Sequence, residues 1–168
     1  KLLDKGSKLQ CIVVGGGEED LMREFYELRQ QYPEAIGLHY EQDTALEHRA
    51  MAGSDILIAP SRNAPDNMRP AQAMCYGTVS VVSDVGTLGD LVDPWDGRDD
   101  FSGEFAPGFV AKEAVAGAVF KAILAAIEQY GDTRGWRPFV EGNIRGVQPT
   151  WSHSAHEHIQ MYRELLEG

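Results

Sequence analysis

Two short apolar runs, Ile56–Ala59 and Val79–Val82, constrain this chain more than anything else in it, because neither alternates with polar residues. A strand with one wet face alternates. A strand that does not must be covered on both faces, which is the condition of a parallel strand in a layered α/β fold. Two further strands are predicted at Leu9–Val14 and Ile36–Tyr40. A helix from Glu18 to about Gln31 separates them, with acidic residues in its first turn and Leu21, Phe25 and Leu28 on one face. Asp43 or Thr44 is placed to cap a short helix over Ala45–Ala52, and Pro70–Tyr76 a second one that Gly77 ends. Strands alternating with helices in this order predict a parallel, doubly wound, Rossmann-like sheet with right-handed crossovers. Ligands of such sheets bind beyond the carboxyl ends of the strands. Pro60–Arg69 and Ser83–Leu88 are therefore the predicted walls of a site.

Downstream, Asp93–Pro107 reads as a long loop rich in Asp, Gly and Pro, and Gly108–Val110 as a last short strand. Val115, Val119, Ile123 and Ile127 repeat every four residues within a helix over Glu113–Tyr130. Helical segments follow at Thr133–Arg145 and Ser152–Glu167. The 168 residues suit one domain spanning 1–168, with the helices of about 133–167 packing on it or crossing from it. The opening KLLDKGSKLQ reads as the tail of a helix feeding a strand, so a preceding part of the fold is expected upstream.

A formal net charge of −11 argues against nucleic acid and anionic membrane surfaces, which need clustered Lys and Arg. No apolar run approaches the ~20 residues that span a bilayer, and the start lacks the features of a signal peptide, so a cytoplasmic protein is expected. Cys11 and Cys75 have no metal-ligand spacing and are predicted to be buried thiols. His153 and His156 share a helical face with no Cys or carboxylate set to complete a metal site, and are predicted to be surface residues. No nucleophile–base–orienter set is present, and no cofactor is expected. Trp151 is read as a packing anchor, and Trp95, in the long acidic loop, as the tryptophan placed to stack on a ligand.

In order along the chain stand Gly15-Gly16-Gly17-Glu18, His48-Arg49, Ala52-Gly53-Ser54-Asp55, Pro60-Ser61-Arg62, Tyr76-Gly77-Thr78 and Val85-Gly86-Thr87-Leu88-Gly89-Asp90. Pro107-Gly108-Phe109, Trp151-Ser152-His153-Ser154-Ala155 and Tyr162-Arg163-Glu164-Leu165 follow them. Each is weak alone; together this series resembles the C-terminal, nucleotide-sugar-binding half of bacterial glycogen synthases and plant starch synthases. The resemblance implies the B-type fold of two facing Rossmann-like domains, with an N-terminal acceptor domain. It implies retaining transfer of glucose from ADP-glucose or UDP-glucose to an α-1,4-glucan.

The departures fall where that family does its chemistry. By the resemblance, its acidic residue beside the reacting sugar falls on Ala64, and its sugar-lining backbone on Asp66, Asn67 and Met68. Its adenine-stacking aromatic falls on Gln42, near Tyr40. The phosphate-facing turn keeps Gly86 and has Thr87 for the second glycine. No catalytic residue and no metal ligand is assigned. The nucleotide-sugar contacts expected are Gly16, Gly17, Arg62, Asn67, Met68, Val85, Gly86, Thr87 and Leu88. Read as residues alone, Gly86 and Gly89 serve a tight strand-to-helix turn as readily as a phosphate. Gly15–Gly17 is a turn first, since Glu18-Glu19-Asp20 repels anions, and Arg62 is either an anion ligand or a partner of Asp55 or Asp66. The chain alone is expected to be inactive. Two other readings stand beside the donor domain: a non-catalytic pseudo-glycosyltransferase domain that binds glucan or a partner protein, and an unrelated doubly wound binding domain.

Overall fold

The computed structural model describes residues 2–3, 8–65, 67–95, 106–145 and 151–167. They form two compact units, Lys1–Gly53 and Ser54–Gly168. In the first, β1 (Cys11–Val14) pairs in parallel with β2 (Ile36–His39), Cys11 opposite Ile36 and Val14 opposite His39. The crossover between them is α1 (Glu19–Gln31), which packs on β2, while α2 (Thr44–Gly53) packs on β1. The backbone N–H of Leu46 donates to the Asp43 carboxylate at 2.9 Å, so the cap is Asp43. Among the described residues of this unit only Ile36 and Met51 are buried, a thin core for four elements.

The second unit carries the main sheet, four parallel strands in the order β3-β4-β6-β5. They are β3 (Ile56–Ala59), β4 (Val79–Ser83), β5 (Val92–Pro94) and β6 (Ala106–Ala111). Between and after them run α3 (Arg69–Cys75), α4 (Thr87–Leu91), α5 (Ala116–Gly131), α6 (Thr133–Arg145) and α7 (Trp151–Glu167). Every residue of β4 is buried, as its lack of alternation requires. Its two faces sort by the two-residue period of a strand. Val82 packs with Ala59, Ala64, Met74, Leu88 and Val92; Val79 and Val81 pack with Phe109, Ala126 and Phe139.

The strands pair as two parallel sheets, one of two strands and one of four. Several expectations are corrected. β5 lies in the stretch read as loop: Val92 turns extended directly after α4, is fully buried, and brings the Trp95 N–H to the Gly108 carbonyl at 2.9 Å. Three residues are too few to show a period. The remainder of that loop, 96–105, lies outside the described residues. Both cysteines are free and lie at exposed positions, although neighbouring atoms crowd the Cys11 thiol and raise its pKa by desolvation. Trp151 is 92% exposed and anchors nothing among the described residues; no residue of α7 is buried. No helix among those residues is long and apolar enough to cross a membrane.

Candidate functional site

The predicted walls lie at the carboxyl ends of two adjacent strands, β3 and β4. They are stitched together. The Thr87 N–H donates to the Ala64 carbonyl at 3.1 Å, and the Thr87 hydroxyl lies 3.3 Å from the same oxygen. From the other side, the Asn67 N–H donates to Thr87 Oγ1 at 3.2 Å. Asn67 Oδ1 then accepts from the Arg69 N–H at 3.2 Å, fixing the entry to α3. Gly86 has φ +52° and ψ −138°, and a Cβ there would collide with the Ala64 carbonyl oxygen. The close approach of the two loops therefore depends on glycine at this position.

The turn presents few donors outward. Val85 N–H bonds Ser83 O at 2.9 Å, Leu88 N–H bonds Val85 O at 3.2 Å, and Thr87 N–H is held by Ala64. Gly86 itself is exposed. Leu88 is fully buried beneath the turn, where it joins Ala64 and Val92. Asp84 is exposed, and its carboxylate lies against Gly89, so negative charge already borders α4. The cations near the walls, Arg62 and Arg69, are exposed. Arg62 pairs with neither Asp55 nor any other described carboxylate. Its other expected partner, Asp66, lies outside the described residues. Met68 is exposed at the start of α3.

Of the expected contacts, Arg62, Asn67, Met68, Val85, Gly86, Thr87 and Leu88 belong to the second unit, and Thr87 bonds Asn67 directly. Gly16 and Gly17 belong to the first. There Gly15 N–H bonds His39 O at 2.9 Å, and Gly16 lies by the Tyr40 carbonyl. Tyr40 and Gln42 are exposed. The Ala64 carbonyl and the Thr87 hydroxyl as joined partners were not read from the sequence. A backbone acceptor leaves no mark in it, and only the Gly-Thr pair at a strand-to-helix turn hints at the second.

Trp95 is half-buried and meets Phe109 and Phe139 edge-on, with ring centroids 5.6 and 5.7 Å apart, so it packs in an aromatic cluster. His153 and His156 are exposed, and His153 faces Glu157 at 3.4 Å, one helical turn on.

A parallel α/β unit whose paired loops meet at the carboxyl ends of neighbouring strands has the architecture of a B-type glycosyltransferase catalytic domain. The family model described as "Glycosyl transferases group 1" matches residues 1–129, and the chain belongs to that family. Glycogen synthase of Marinobacter nauticus is 33% identical over 168 residues, covering 99% of this chain and 33% of the relative. That of Chlorobium phaeovibrioides is 30% identical over 160 residues, 95% of this chain and 31% of the relative. Among solved structures, the catalytic domain of starch synthase IV from Arabidopsis thaliana, bound to ADP and acarbose, superposes with a TM-score of 0.77 at 26% identity. It matches over 95% of this chain and 33% of its own length. Sucrose-phosphate synthase from Thermosynechococcus elongatus shares the fold, with a TM-score of 0.64 at 22% identity, over 94% of this chain and 39% of its own. The chain thus spans about a third of the length of the curated relatives it matches. It is a glycogen- or starch-synthase-like glycosyltransferase domain.

Proposed function

We propose that this chain is the donor-binding part of a cytoplasmic glucosyltransferase that moves glucose from ADP-glucose or UDP-glucose to an α-1,4-glucan, with an acceptor domain supplied elsewhere in the full-length protein. The observation that carries the reading is the hydrogen-bonded union of the Ala64–Arg69 and Val85–Leu88 loops beyond β3 and β4. In the similar starch synthase, the bound ligands are ADP and acarbose. The proposed contacts are Arg62, Asn67, Met68, Val85, Gly86, Thr87 and Leu88 of the second unit.

Glycosyl transfer sheds a nucleoside diphosphate, so catalysis needs donors and cations at the leaving phosphate. Here the turn spends most of its amides internally, Asp84 adds negative charge, and Ala64 brings no carboxylate. The chain alone is therefore proposed to bind without transferring glucose. The same three observations favour one alternative, a pseudo-glycosyltransferase domain that binds glucan or a partner protein. Calorimetry decides between them: the donor reading requires saturable binding of ADP or UDP, and the alternative requires maltooligosaccharide or protein binding without either nucleotide. Incorporation of labelled glucose into glycogen by the chain alone would refute the inactivity.

A further inference from the structure

Thr87 does something a glycine in its place could not. Its hydroxyl lies between the two loops, accepting from the Asn67 N–H at 3.2 Å and within donating distance of the Ala64 carbonyl at 3.3 Å. Its own N–H makes an independent bond to that carbonyl at 3.1 Å. The Ala64 carbonyl therefore stays tied to the turn even without the side chain, whereas Asn67 does not. Asn67 is half-buried, so losing the hydroxyl leaves its amide short of a partner where water reaches it only in part. Asn67 Oδ1 in turn holds the Arg69 N–H, and the Met68 carbonyl accepts from the Gln72 N–H at 3.0 Å, so the bond to Thr87 fixes the backbone that leads into α3.

We infer that Thr87 is a positioning residue: through the Asn67 amide it sets the backbone at Asn67 and Met68 against the Val85–Gly86 turn. The inference rests on the donor-site reading in assigning the glucose to Asn67–Met68 and the diphosphate to Val85–Leu88. It gives the two ends of the ligand different sensitivities. A Thr87→Val change keeps the shape and the Thr87 N–H bond but removes the acceptor for Asn67, so it loosens the sugar wall and spares the phosphate turn.

The test compares wild type, Thr87→Val and Thr87→Ser in the 168-residue chain. Calorimetry with ADP and with ADP-glucose is combined with residue-resolved amide exchange. Thr87→Val is expected to weaken ADP-glucose about three- to tenfold more than it weakens ADP. Its Asn67 amide is expected to exchange roughly five- to thirtyfold faster. Thr87→Ser, which keeps the hydroxyl, is expected to restore both. A general loss of stability would weaken both ligands together and would not be rescued by serine. Equal loss of both ligands, or unchanged exchange at Asn67 in the valine variant, overturns the inference. If wild type binds neither ligand, the donor reading and the sugar assignment fall together, and the Asn67 exchange then decides the loop bond on its own.

Discussion

At the level of single residues, one atom more or less at a few positions changes which groups touch. Gly86→Ala introduces a Cβ into the Ala64 carbonyl at a positive φ. The expected cost is about 2–3 kcal/mol by urea unfolding, with the two loops forced apart. Ala64→Glu returns the side-chain type that the resemblance places there, but Ala64 is 3% exposed and packs among Met74, Val82, Leu88 and Val92. A carboxylate would enter a core. The expected result is no gain of transferase activity and a loss of at least about 3 kcal/mol at neutral pH. Burial raises the new carboxyl above its unfolded pKa of about 4.3, so the unfolded chain ionises first, and the penalty should grow as pH rises through that value and shrink below it. Cys11 follows the same sign: its thiol is held above 9.0, so stability linked to it is intact below that pH and is lost above it. Cys11→Ala should flatten the alkaline fall of an unfolding-midpoint profile. The resemblance placed a catalytic carboxylate's position on Ala64, yet the reason it cannot simply be restored is packing, which a residue string does not display.

Elements were legible to the extent that they repeat. β3 was read with the bounds it has and β4 within one residue, because continuous apolar runs mark strands covered on both faces. β5 escaped because three residues hold no period, and its pairing with β6 is a tertiary fact. The packing of Trp95 escaped for the same reason: its partners come from β6 and α6, distant in sequence. The aromatic cluster in which Phe109 and Phe139 stack at 5.6 Å and Trp136 and Phe139 at 5.8 Å makes Phe139 its hub. Phe139→Ala should cost about 3–5 kcal/mol in denaturant unfolding and shift the tryptophan emission to the red, since Trp95 and Trp136 both lose a ring contact.

Across the whole molecule, stability is unevenly distributed. Among the described residues of the first unit only Ile36 and Met51 are buried, whereas β4 of the second is covered along its entire length. Amides of β1 and β2 should therefore exchange faster than those of β4, which open only with the second unit as a whole. Fold class was readable from alternating elements, and the family from the order of many short motifs. The pairing of particular strands was not, because which strands share a sheet depends on contacts between segments far apart in sequence. The most direct test of the central claim is an amide-resolved NMR titration of the chain with ADP. Shifts that saturate together in Ala64–Arg69 and Val85–Leu88 are expected if these joined loops form the donor wall. A chain that leaves both segments unmoved, or that responds to ADP only elsewhere, contradicts it.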